Sequence, residues 1–290
     1  MVKFECKSCS GCCHGGISVT LNEAINKYYN YFPFLGIYSV ADVRNVPIEK
    51  DKDAYSKSMK AFSKENLSFY IKTKDNRKVV VHPQIISLNH PELPCLNLDE
   101  DRMCSIYSFK PKSCTLYPFR IDTPVIHMEK GLLREKQRAF EETEYIPCGG
   151  WLNTEQVIFT NRGPKEDSIV HLLKDRAVES KETTSLMKLY LDELRRNDRE
   201  IDEKIMKYSS LNENSTNVIQ FNVAEMLTYL AKNKKISSLY LKSFVNGQVS
   251  IYKKFISFLE DKDDEKYNLI LNVAKVQLAD LSELQEKEVN

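Results

Sequence analysis

Glycine and tryptophan are scarce in this chain, nine and one among 290 residues, and the glycines nowhere compose G-x-G-x-x-G, G-x-G-x-G or a P-loop. A dinucleotide, a nucleoside triphosphate or the cofactor of a Rossmann methyltransferase needs such a loop, because only glycine lets the backbone approach the ligand closely at a helix start. A site built on such a loop is not expected. There is also no G-x-S-x-G elbow, and the five histidines form neither H-x3-H nor H-E-x-x-H. Charge of one sign is missing too: 42 basic against 41 acidic side chains give a net charge of +1, which supplies no global field for nucleic acid or an anionic membrane. Long apolar runs are absent, since Lys, Glu, Asp or Asn interrupts every window of about 20 residues, the length a membrane helix requires. The start, Met1 to Cys6, has no apolar stretch of the secretory kind. A soluble, cytoplasmic protein is expected, with neither membrane nor nucleic acid as partner.

Cysteine is absent after residue 148, so all eight cysteines crowd the first half. Cys6, Cys9, Cys12 and Cys13 form a C-x2-C-x2-C-C run, with Gly11 and Gly15-Gly16 supplying permissive backbone. Two intervening residues let a tight turn aim successive thiolates at one ion or cluster. Cys12 and Cys13 are adjacent and cannot readily address one metal together. The second group, Cys95, Cys104, Cys114 and Cys148, is spread through looped sequence. Asp99-Glu100-Asp101 has the composition of a turn that returns Cys104 towards Cys95, and prolines and aromatics around Cys104 to Phe119 suit a rigid, partly dry metal shell. A reducing compartment and a chain long enough to bury a core both argue against a disulfide scaffold. All eight cysteines are therefore candidate metal ligands. Three closely spaced cysteines plus a remote one match the ligand pattern of an iron–sulfur cluster, a 4Fe–4S cubane, and zinc is the alternative. The radical S-adenosylmethionine spacing C-x3-C-x2-C fails at Gly16 when started from Cys9, and at Ser10 when started from Cys6.

The fold class expected is α+β: a cysteine-rich metal-binding domain of short strands and loops over 1–163, then a mostly α-helical region over 164–290. Gly163-Pro164 marks the division as backbone punctuation. Thr20-Leu21-Asn22-Glu23 fits a capping box opening a helix before the apolar run Ala24 to Phe34. Leu67–Ile71 and Val79–Val81 read as strands around a turn at Lys74–Arg77, with Ile85 to Leu88 extending the second or making a third. The basic residues of that hairpin, Lys72, Lys74, Arg77 and Lys78, read as a solvated turn. Later apolar residues recur at helical spacing: Leu186, Leu189, Tyr190 and Leu194; Ile201 and Ile205; Met226, Leu227 and Leu230; Ile251, Phe255, Phe258 and Leu259; Leu269, Leu271, Val273 and Val276. Ser209 to Asn217 is the expected loop among them.

The run Cys6-x2-Cys9-x2-Cys12-Cys13, then Cys95, Cys104-x-Ile106-Tyr107, Lys110-Pro111-x2-Cys114, Tyr117-Pro118-Phe119 and Cys148 resembles the YkgJ-type CxxCxxCC cysteine-cluster proteins. Those are described as zinc- or iron-chelating domains, and flagellin lysine N-methylases resemble them. The resemblance covers about the first 150 residues and uses every cysteine. It implies a thiolate-bound metal and, for an enzyme, protein lysine N-methyltransferase activity on a protein substrate with S-adenosylmethionine bound near the metal. Tyr107, Tyr117 and Trp151 would then wall that site; packing of the metal shell is their plainer role. His14, beside Cys13, reads as an exposed loop histidine before it reads as a ligand. Lys110 and Thr115 stand where the family usually has arginine, which loses the planar fork a bidentate anion contact uses. The reading from a different class is a zinc-binding structural or interaction module without catalysis.

Overall fold

The computed structural model describes residues 2–3, 13, 16–42, 67–90, 92–119, 132, 156–160, 163–210 and 218–289. Its strands, in chain order, are β1 (Val2–Lys3), β2 (Ser18–Val19), β3 (Phe34–Asp42), β4 (Phe69–Lys72), β5 (Lys78–Ser87), β6 (Val157–Thr160), β7 (Gly163–Pro164) and β8 (Val218–Phe221). The helices are α1 (Leu21–Glu23), α2 (Lys112–Leu116), α3 (Asp167–Asn197), α4 (Arg199–Ser210), α5 (Val223–Lys232), α6 (Leu239–Glu260) and α7 (Asn268–Val289). The architecture is α+β, with antiparallel strands throughout and helix dominating after residue 166. Two compact units form, each from two stretches of chain: Met1–Ile17 with Leu88–Val178, and Ser18–Ser87 with Glu179–Asn290.

In the second unit the capping box is present in full. The Glu23 N–H donates to Thr20 Oγ1 at 3.2 Å and Glu23 Oε2 accepts from the Thr20 N–H at 3.1 Å. The apolar run that follows does not continue as the expected α-helix. Ala24–Tyr28 widen into a π-helical turn, and Phe34 already belongs to β3. Pro33 lacks a donor and disfavours a helical Phe32, so the aromatic and branched residues beyond it take the extended form they prefer.

β3 is the centre of this unit's sheet, with strand order β2-β5-β3-β8. It pairs with β5 from Phe34 opposite Ser87 to Asp42 opposite Val79, and on its other edge with β8. The expected hairpin is β4 and β5, closed by Thr73 N–H to Arg77 O at 3.0 Å and by Asn76 at φ 64. Ile85 extends the second strand. Pro83, which has no N–H, falls between the stretches of β5 that pair with β4 and with β2. The hairpin's lysines are exposed, as a solvated turn requires, and among the described residues they contact only their own unit. Buried Asp202 of α4 accepts from Arg195 at 2.7 Å and holds Lys74 at 3.5 Å, Arg195 donates to Lys72 O, and Lys78 lies over the Tyr70 ring.

Close approach decides two details of this core. A Cβ on Gly36 would lie 2.2 Å from the Phe221 ring, so only glycine lets that ring lie over β3, where it stacks on Tyr38 with centroids 4.7 Å apart. On α6, the Gln248 side chain donates to Tyr29 O (2.7 Å) and Phe32 O (2.9 Å) and accepts from Phe34 N–H (2.8 Å). Most of the periodic apolar positions are buried or half-buried, but three face solvent: Leu189, Leu269 and Val276 are 39%, 79% and 58% exposed. The expected loop is shorter at its start, because Ser209 and Ser210 close α4; 211–217 lie outside the described residues.

The first unit holds a three-stranded sheet, order β1-β6-β7, in which Gly163–Pro164 is a return strand paired with Phe159 and Thr160. Its core gathers Leu116, Phe119, Leu132 and Phe159, with Tyr117 and Ile169 packed against them. Among the described residues no helix is long and apolar enough to cross a membrane.

Candidate metal centre

The first unit receives its cysteines from both of its chain stretches. Cys13 comes from the first, and Cys95, Cys104 and Cys114 come from the second. A backbone hydrogen bond joins the two stretches at the cysteines themselves, Cys95 N–H to Cys13 O at 2.8 Å. Residues 95–98 then make a tight turn, Leu98 N–H to Cys95 O at 3.0 Å.

The acidic segment after it is the expected turn. Asp99 accepts at its side chain from Met103 N–H (2.7 Å) and at its carbonyl from Arg102 N–H, and Arg102 sits at φ 61. This folds Cys104 back to bridge with Leu98. Asn97 O accepts from both the N–H and the hydroxyl of Ser105, at 2.8 and 3.0 Å, so the chain carrying Cys95 is sewn to the chain following Cys104. A 3-10 turn, Tyr107–Phe109, leads to Pro111, which opens α2 and sets Cys114 in its middle. Leu116 and Phe119 anchor the far end of α2 in the unit's apolar core.

None of the four described cysteines forms a disulfide, and all are half-buried. Their sulfurs are electrostatic neighbours. Burial pushes the Cys114 thiol up to about 12, and Cys95, Cys13 and Cys104 push it the same way while Lys110 opposes them. Burial likewise raises Cys95, opposed by hydrogen bonds from the Asn97 backbone and side-chain N–H groups and reinforced by Cys13 and Cys104. The physical cause is common to both: negative charge on one sulfur is poorly solvated and repelled by the next. A cation placed among these thiols reverses that balance, because it favours every thiolate and releases their protons.

The donor chemistry fits a thiophilic metal, since the candidate ligands that act on Cys114 are all cysteine sulfurs. Among the described residues, however, no three Cys, His, Asp or Glu side chains are gathered closely enough to hold a metal ion. Cys6, Cys9, Cys12 and Cys148 lie outside the described residues, as do His14, His127 and Trp151. In sequence, all eight cysteines fall within the two stretches of the first unit.

The remaining candidates have structural partners. Tyr107 is exposed with Lys110 Nζ 4.3 Å over its ring, whereas Tyr117 packs on the Leu116–Phe119 core. Thr115, where arginine was the expected residue, turns its hydroxyl back to Pro111 O at 3.2 Å. His82 is held by Leu67 O at 2.9 Å within the sheet unit, and His171 is an exposed residue of α3. The sequence reading missed Asn97. Its signal was a polar residue two positions after a cysteine, inside the turn that precedes Asp99.

Residues 5–144 match the family model CxxCxxCC, described as "Putative zinc- or iron-chelating domain". No curated protein and no solved structure matches the chain.

Proposed function

Because residues 5–144 match the CxxCxxCC family model of zinc- or iron-chelating domains, we propose that the chain carries a thiolate-bound iron–sulfur cluster, a 4Fe–4S cubane, in its first unit. Cys13, Cys95, Cys104 and Cys114 supply ligands on this reading, and Cys6, Cys9, Cys12 and Cys148 complete the donor set. The observation that carries it is the backbone pairing that draws cysteine segments together, Cys95 N–H to Cys13 O at 2.8 Å and the bridge of Leu98 with Cys104, with Cys95, Cys13 and Cys104 all acting on the Cys114 thiol. Neutral thiols tolerate such burial; a metal ion among them would favour their thiolates and turn the same crowding into binding energy.

When bound, the cluster supplies electron transfer or Lewis acidity; the chain's own residues do the rest. The Asp99 turn brings Cys104 back, and the backbone bond from Cys95 to Cys13 ties the two chain stretches together. Leu116 and Phe119 fix the helix that bears Cys114. A centre of this kind keeps its thiolates in a reducing, cytoplasmic setting. Protein lysine methylation with S-adenosylmethionine rests on the family resemblance alone, and a protein substrate would follow from it.

Anaerobic purification followed by elemental analysis tests the proposal. A brown protein with stoichiometric iron and acid-labile sulfide is the expected result, and Cys114→Ser should lower the metal content. A colourless protein with stoichiometric zinc would replace the cluster by the zinc module, and a metal-free protein would end both readings.

A further inference from the structure

Asn97 is not a metal-ligand residue type, yet its side chain is aimed at a cysteine sulfur. It is 8% exposed, and its Nδ2 lies 3.8 Å from Cys95 Sγ, within the longer reach of a hydrogen bond to sulfur. Its backbone N–H donates to the same sulfur. An asparagine in a turn ordinarily bonds its own neighbouring backbone. Here the turn is closed without the side chain, by Leu98 N–H to Cys95 O, and Ser105 engages the Asn97 carbonyl rather than its amide. The Asn97 amide is placed to donate to Cys95, and burial makes that bond costly to leave unmade.

We propose that Asn97 is a positioning residue of the metal centre, directing two N–H groups at the Cys95 sulfur so that this ligand is oriented and its negative charge partly neutralised. The inference rests on the metal-centre reading given above. Partners of this kind set how strongly a ligand donates to its metal, and removing one typically costs about 10–100-fold in metal affinity. The backbone donor survives substitution, so an effect towards the lower end, about tenfold, is expected. Withdrawing an N–H from a thiolate also raises the energy of its lone pairs, which moves the sulfur-to-metal charge-transfer band to longer wavelength.

The test titrates cobalt(II) into the reduced, metal-free full-length protein and reads both affinity and the sulfur-to-cobalt band. Asn97→Ala removes the donor; Asn97→Leu removes it while keeping the side chain's size, and so separates the donor from a packing loss. Expected for both variants are about tenfold weaker cobalt binding and a red-shifted band, with unchanged far-ultraviolet circular dichroism. Wild-type affinity and band position in folded variants would overturn the role of Asn97 while leaving the metal centre in place. Loss of fold in both variants would assign Asn97 to the turn and overturn the inference as well. A wild-type protein showing no thiolate-to-cobalt band, and neither iron nor zinc on isolation, would remove the metal centre and the inference with it.

Discussion

At the residue scale, the side chains that do most for the structure are polar ones placed where apolar ones were expected. Gln248 sits on the buried stripe of α6 between Phe244 and Tyr252, and all three are at most 1% exposed. Helical periodicity alone assigns an apolar side chain there. The glutamine is required because the chain from Tyr29 to Phe34 leaves two carbonyls and one N–H inside the core, and one amide meets all three. Gln248→Leu keeps the volume and strands those groups, so an unfolding free energy lower by at least about 1–3 kcal/mol is expected. Urea denaturation of wild type and variant checks this, and an unchanged midpoint would contradict it. The Thr20 box was readable in advance because its meaning is carried by a spacing of three residues. Gln248 was not, because its partners are fixed only by the fold. A polar residue interrupting an apolar stripe was the available signal.

At the scale of elements, the hairpin β4–β5 and the long helices follow from local pattern, while β3 and β8 do not. β3 pairs with residues about 180 positions further on, and no local period records such a partner. Pro33, at the junction where the apolar run changes form, was the cue that Ala24 to Phe34 is not one helix. The packing of α5 and α7 adds a titratable contact that was also beyond the sequence. Burial raises the Glu225 carboxyl, with Asp280 and Glu283 of α7 pushing the same way and the Tyr190 hydroxyl, 3.5 Å away, opposing them. A carboxyl raised in the folded state binds its proton more tightly there than in the unfolded chain. Its stabilising effect is complete below the ordinary carboxylate value and is lost as pH rises through the raised folded value. Because Glu225 is partly open to solvent, the slope is shallow. Stability measured by urea midpoints from acid to neutral pH should therefore decline less steeply in Glu225→Gln than in wild type. Equal slopes would show that this contact carries no linkage.

At the scale of the whole molecule, the division of labour between the units gives the sharpest prediction. The sheet unit contains no cysteine: its two stretches, Ser18–Ser87 and Glu179–Asn290, fall outside every cysteine position. It has a large apolar core of its own, with Phe34, Tyr38, Val79, Phe244 and Phe255 almost wholly buried. Among its described residues the cysteine unit has a core around Leu116, Phe119, Leu132 and Phe159, and turns close the chain around its thiols. If its thiols bind a metal centre, part of its stability is metal-binding energy. Removing the metal by chelation under reducing conditions should therefore release backbone protection in one unit only. Hydrogen exchange is the measurement. The amides of Cys95, Leu98 and Ser105, which close the turns around the thiols, are expected to exchange faster after chelation. Those along the β3–β5 ladder should keep their rates, because they lie within a core that owes nothing to the metal. Uniform loss of protection across both units would mean that the metal supports the whole fold. No change in either unit would mean that the sulfurs bring no binding energy to the fold.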